Sequence, residues 1–264
     1  MVQLHAHGDF LVSMDAGVVT AVFNRPEARN ALTFAMYAKL AALCTQAADD
    51  DAVRVIILTG AGDKAFAAGT DIGQFREFSS GEDGIAYEER MERALEPVER
   101  CPKPLIAAIA GACTGGGAAI AACCDVRLAT ADMRFGFPIA RSLGNTLSLG
   151  NYRRLLALLG PSRVKQLIFT ARLIDAQEAQ AAGLLVEVVP EAADLMPRAR
   201  ALAQQLLGHA PLTLSACKEA LRRVQTEGER ATDADLVRTI YGSADFREGM
   251  AAFLGKRAPQ WTGR

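Results

Sequence analysis

A glycine cluster set between a buried strand and an alanine-rich helix constrains this chain more than any other feature. The run LIAAIA at residues 105–110 is apolar throughout, and ACTGGGAAIAACC follows it, with glycine at 115, 116 and 117. A strand that is apolar at every position is predicted to be buried on both faces, which calls for parallel neighbours and helical crossovers. The glycines let the chain turn sharply and leave the first N–H groups of the next helix, near residues 118–123, without acceptors. Such a helix start favours negative charge. A second loop of small residues, AFAAGTD at Ala65–Asp71, follows another apolar strand, VRVIILT at Val53–Thr59. For either loop alone a plainer reading stays open: glycines permit tight turns.

The rest of the chain agrees with an α/β core. VVTAVF at Val18–Phe23 is predicted as a strand and NRPEARN after it as a turn or loop. Thr33 is placed to cap a helix over residues 34–48, with Met36, Leu40 and Leu43 on one face. Strand, helix and buried strand in that order predict a right-handed βαβ unit. Residues 72–101 are charged and predict a mobile loop followed by a helix over about Tyr87–Glu99; Val126–Ala129 is a further strand. From Leu147 onward the pattern is mostly helical, interrupted by a short strand at Leu184–Val189 that Pro190 stops. Capping boxes are predicted at Asp175–Glu178 and Asp245–Glu248, and helices over about 192–207, 212–226 and 233–241. The expected division is a core over residues 1–200 and a helical C-terminal module over 201–264.

Composition excludes several classes. With a formal net charge of −1 and scattered charges, the chain has no field of one sign for nucleic acid or a membrane surface. The opening MVQLHAHGDF lacks a signal-peptide pattern, and no stretch approaches the roughly 18 apolar residues of a spanning helix, so a cytoplasmic setting is expected. Six cysteines (44, 101, 113, 123, 124 and 217) show no CxxC spacing and are expected as mostly buried free thiols. His5 and His7 are expected as exposed residues of one strand, and no metal site is predicted. Neither glycine loop fits GxGxxG or GxxxxGK[ST], and there is no GxSxG elbow.

Six segments, in this order and spacing, resemble the crotonase (enoyl-CoA hydratase/isomerase) family. They are FNRPEARNAL, AFAAGTDI, KPLIAAIAGACTGGG, CDVRLATADMRFGFP, AAGLLVEVV and DFREGMAAFLGKR. The resemblance covers almost the whole chain. It implies an α/β fold built as a spiral of ββα units, with a helical C-terminal module that forms trimers or dimers of trimers. It implies an acyl-CoA thioester as the small-molecule partner, coenzyme A entering with the substrate and no separate cofactor. Thr70 and Gly116 match the two backbone N–H donors of an oxyanion hole. Ala28, Arg29, Ala68, Asp71 and Ile72 match positions on the loops around the coenzyme, Asp71 usually supporting its loop. Tyr241 and Lys256 are candidates to reach the coenzyme's ring and phosphates.

The sequence departs from the family where hydratases carry two glutamates. Those positions are Ala119 and Ile139, and neither side chain moves a proton. Beyond Pro138 the chain has IARSLGNTLSLGNYRRL in place of a glycine-rich run, and Asn145 is the polar candidate there. The leading expectation is an acyl-CoA lyase or isomerase that uses the hole with a nonstandard polar group. An acyl-CoA-binding protein without hydratase activity and a CoA-thioester hydrolase are the alternatives.

Overall fold

The computed structural model describes residues 1–264. Its frame is a six-stranded sheet in the spatial order β1-β2-β3-β5-β7-β10. The strands are β1 (Phe10–Asp15), β2 (Val18–Phe23), β3 (Val55–Gly60), β5 (Leu105–Ile109), β7 (Val126–Thr130) and β10 (Glu187–Val189). Only β1 and β2 pair antiparallel; every later neighbour is parallel. β3 and β5 read as unbroken apolar runs because both faces are covered. Ile56, Leu58, Ala107 and Ile109 face the main core, while Val55, Ile57, Ile106 and Ala108 pack under helix α6 (Ala192–Leu207). The predicted break after residue 200 falls inside α6, whose Ala199 and Ala203 are fully buried on the sheet, so the core extends past it.

A second sheet runs β4 (Ala65–Ala67), β6 (Ala112–Thr114), β8 (Arg134–Gly136) and β9 (Ile174–Asp175). It stacks the starts of both glycine loops side by side, since β4 and β6 pair in parallel. Helix α1 (Phe34–Ala48) begins at the predicted cap, with Thr33 Oγ1 accepting from the Met36 N–H at 3.3 Å. α1 packs against α2 (Gly81–Arg100). α2 starts well before the predicted Tyr87, because Ser80 and Asp83 form a reciprocal capping box. The segment before it is not a plain loop. Residues 72–75 form a 3-10 turn, and Phe75, Phe78 and Tyr87 cluster with ring centroids 4.7–5.9 Å apart.

Helix α3 (Gly116–Cys123) follows the glycine cluster, and α4 (Leu149–Thr170) is broken at Gly160 and Pro161. The C-terminal part adds α5 (Ala176–Ala181), α7 (Pro211–Glu227), α8 (Ala234–Gly242) and α9 (Ala244–Leu254). Asp175 caps α5 as expected, accepting from the Glu178 N–H at 2.9 Å. Asp245 does not cap α9; Ser243 does. The buried Asp245 carboxylate instead holds the C-terminal tail through the N–H groups of Thr262 and Gly263 at 2.7 and 2.9 Å. His5 bridges Val12 but His7 lies in a bend, so the two do not share a strand. Five cysteines are buried as predicted, whereas Cys217, on α7, is exposed. No helix is long and apolar enough to cross a membrane.

Candidate active site

The two glycine loops meet at one cleft of about 210 Å³, lined by Ala68, Gly69 and Thr70 from one and by Thr114, Gly115 and Gly116 from the other. Gly115 has φ +52° and ψ −118°, a conformation closed to other residues, and it turns the chain from β6 into α3. Gly117 is required for a different reason. A Cβ there would sit 2.2 Å from the Ala67 carbonyl oxygen, so the small residue lets α3 lie directly on β4. Gly116 is the first residue of α3 and has no carbonyl one turn earlier to take its N–H. The Thr70 N–H likewise has no backbone acceptor, although its neighbours bond to the strand-like Leu32 through Gly69 O and Asp71 N.

Buried Asn30 fixes the first loop. Its amide donates to the carbonyls of Ala61 and Ala65 at 3.0 and 2.7 Å and accepts from the Arg25 N–H at 3.0 Å. Arg29 O accepts from the Ala68 N–H at 3.0 Å, so the Arg29 backbone braces the loop, and neither Ala28 nor Arg29 is among the residues lining the cleft. Asp71 is also a brace. It accepts from Arg25 Nη1 and the Gly73 N–H, both at 2.9 Å, and the Arg25 guanidinium holds its carboxyl below the usual carboxylate range. Ile72 reaches the cleft mouth. Tyr241 and Lys256 do not reach the cleft within this chain: Tyr241 stacks on Phe246 at 4.8 Å, and both side chains face outward.

Ala119 and Ile139, the positions that the resemblance matches to the two glutamates, both line the cleft. Ser142, Leu143 and the exposed Asn145 line its outer edge. Three further groups were not legible from motifs. The hydroxyl of Tyr37, on α1, lies 3.0 Å from Thr70 Oγ1, and that of Tyr87, on α2, lies 3.1 Å from the same oxygen. Burial pushes both phenols above their ordinary value, Tyr37 well above it. Glu88, beside Tyr87, is the one carboxylate in the cleft lining.

The wall that carries Glu88 is clamped to α4. Arg154, 2% exposed, bonds Glu92 Oε2 at 3.1 Å and Glu99 Oε2 at 2.8 Å. Removing one partner of a buried ion cluster leaves uncompensated charge, at a cost of about 3–5 kcal/mol. Arg154→Met is expected to lower unfolding stability by that amount, read from the urea midpoint; a loss below about 1 kcal/mol, the worth of a surface pair, would refute the clamp. Burial alone would raise Glu99, but the Arg153 and Arg154 guanidiniums outweigh it and hold the carboxyl low. Its contribution is therefore full above its ordinary 4.5 and is lost as pH falls through the lowered value.

Comparison with known proteins identifies the family. The family model for enoyl-CoA hydratase/isomerase matches residues 13–264, and the chain belongs to that family. It is 36% identical over 258 residues to a crotonyl-CoA hydratase of Syntrophomonas wolfei, covering 96% of this chain and 97% of the relative. It is 34% identical to a 2,3-dehydroadipyl-CoA hydratase of Escherichia coli, covering 97% and 99%. The crystal structure of an enoyl-CoA hydratase/carnithine racemase from Magnetospirillum magneticum superposes with a TM-score of 0.90 at 32% identity, covering 98% of this chain and 97% of that one. The crotonase fold expected from the motifs is thereby established, and with it an enzyme of the acyl-CoA-processing type.

Proposed function

We propose that the cleft binds an acyl-CoA thioester with its carbonyl oxygen between the N–H groups of Thr70 and Gly116, and stabilises the enolate that forms there. The convergence of those two unpaired donors on one cleft carries the reading. Preorganised N–H donors in a partly water-excluded cleft stabilise developing oxygen charge more than bulk water does, because they need no reorientation. The reaction is of lyase or isomerase type and proceeds without the two-glutamate hydration apparatus, since Ala119 and Ile139 stand at those positions. Curated relatives bear hydratase names, which supports the thioester substrate class. A second reading, an acyl-CoA-binding protein without hydratase chemistry, draws support from the same two apolar side chains.

Assembly as a trimer or dimer of trimers fits the exposed apolar side chains of Leu221, Val224, Val237 and Phe253 on α7, α8 and α9. Six free thiols, five of them buried, fit a reducing setting such as the cytoplasm. Calorimetry with butyryl-CoA is expected to show saturable binding, and thermal unfolding to shift upward with ligand, because a ligand of the native state raises apparent stability. No heat and no shift at millimolar ligand would overturn the proposal.

A further inference from the structure

We infer that Glu88 is the proton-transfer group of this cleft, taking a proton from the acyl chain beside the thioester and returning it there. The inference rests on the acyl-CoA reading above. Glu88 is the only Asp or Glu among the cleft-lining residues, and it stands on α2, a different element from those that carry Ala119 and Ile139. Its carboxyl is oriented by one contact, the Ser148 N–H donating to Oε2 at 2.9 Å, and no protein donor reaches Oε1. A half-buried carboxylate with one oxygen anchored and the other free is arranged to receive a proton from a ligand.

The surroundings favour that role. From α2 itself come Tyr87 and Glu92; from α1 comes Tyr37; from the start of α4 comes the Ser148 N–H, with Arg154 occupied by Glu92. Burial raises the Glu88 carboxyl above the ordinary carboxylate range, and Glu92 adds to the rise while the Ser148 N–H opposes it. A stronger base than a free carboxylate results. Glu88 in turn raises both phenols, so its charge is felt at the two hydroxyls that bracket Thr70.

The step balances with no added reactant. A Glu88 oxygen forms an O–H bond as the C–H bond next to the thioester carbonyl breaks. That electron pair forms the new C=C bond, and the carbonyl pair moves onto oxygen, between the Thr70 and Gly116 N–H groups. The reverse step returns the proton to the same carbon or, in an unsaturated chain, to the carbon two positions further along, which shifts the double bond.

The test is deuterium incorporation into butyryl-CoA in D2O, followed by mass and NMR, with calorimetric binding measured on each protein. The wild type is expected to exchange its α-protons. Glu88→Gln is expected to bind butyryl-CoA with wild-type affinity and to lose exchange by about 10²-fold or more. Glu88→Asp is expected to restore part of the rate, which for the wild type rises with pH over a window above 4.5. Exchange by Glu88→Gln within a few-fold of wild type would overturn the inference, as would a wild type that binds butyryl-CoA without exchange. A wild type that does not bind would overturn the acyl-CoA reading itself.

Discussion

Replacing Gly116 with proline is expected to cut turnover of an acyl-CoA thioester by about 10²–10³-fold, the usual effect of losing one oxyanion donor. Proline has no N–H, and its fixed φ suits the first position of a helix, so the backbone of α3 tolerates it. The side chain is the obstacle. A Cβ at residue 116 would lie 1.9 Å from the Tyr37 hydroxyl and 3.0 Å from Thr70 Oγ1. The variant is therefore best made in a Tyr37→Phe background, which removes the clashing oxygen and leaves the ring carbon at 3.2 Å as the nearest Tyr37 atom. Gly116→Ala in the same background keeps the N–H and adds the same Cβ. The proline protein is expected to lose the rate and the alanine protein to keep most of it, with circular dichroism showing both folded. Equal rates in the two would show that the Gly116 N–H does not carry the negative charge. Ser142→Ala, at the cleft edge, is expected to change turnover far less.

Much of the frame was readable because its signals are local. Thr33 marks the start of α1, the paired apolar runs mark β3 and β5, and the helix over 192–207 shows its own periodicity. β4, β6, β8 and β9 have two or three residues each, too few for any periodicity to appear. β1 was not read because only Phe10 and Val12 of its alternating positions turn inward before the pattern becomes exposed. Asp245 resembled a cap by spacing, yet its partners, Thr262 and Gly263, lie at the far end of the chain.

The site divides in the same way. Its backbone elements, Thr70 and Gly116, sit in glycine loops whose geometry is written in consecutive residues. Tyr37, Tyr87 and Glu88 enter from two helices whose packing brings them to the cleft, and nothing next to them in the chain announces it. Asp71 braces its loop through Arg25, as the resemblance implied, and Arg29 meets that loop through its backbone carbonyl; both partners come from tertiary structure.

Water addition to crotonyl-CoA by the wild-type chain tests the central claim, a thioester cleft lacking both carboxylates that position and activate water. Ala119 and Ile139, matched by the resemblance to those two carboxylates, line the cleft, and neither a methyl group nor a branched hydrocarbon orients water or moves a proton. Each positioned proton-transfer group contributes roughly 10²- to 10⁴-fold. Glu88 is one carboxylate on another wall, anchored by Ser148, and it handles a proton of the acyl chain without replacing the missing pair. The measurement is kcat/KM for loss of the crotonyl-CoA double bond, taken beside calorimetric binding of the same ligand. Saturable binding is expected, with hydration absent or far below the roughly 10⁴–10⁸ M⁻¹s⁻¹ of ordinary enzymes. Hydration within that range would contradict the claim and show that another residue of the cleft supplies the water-activating group.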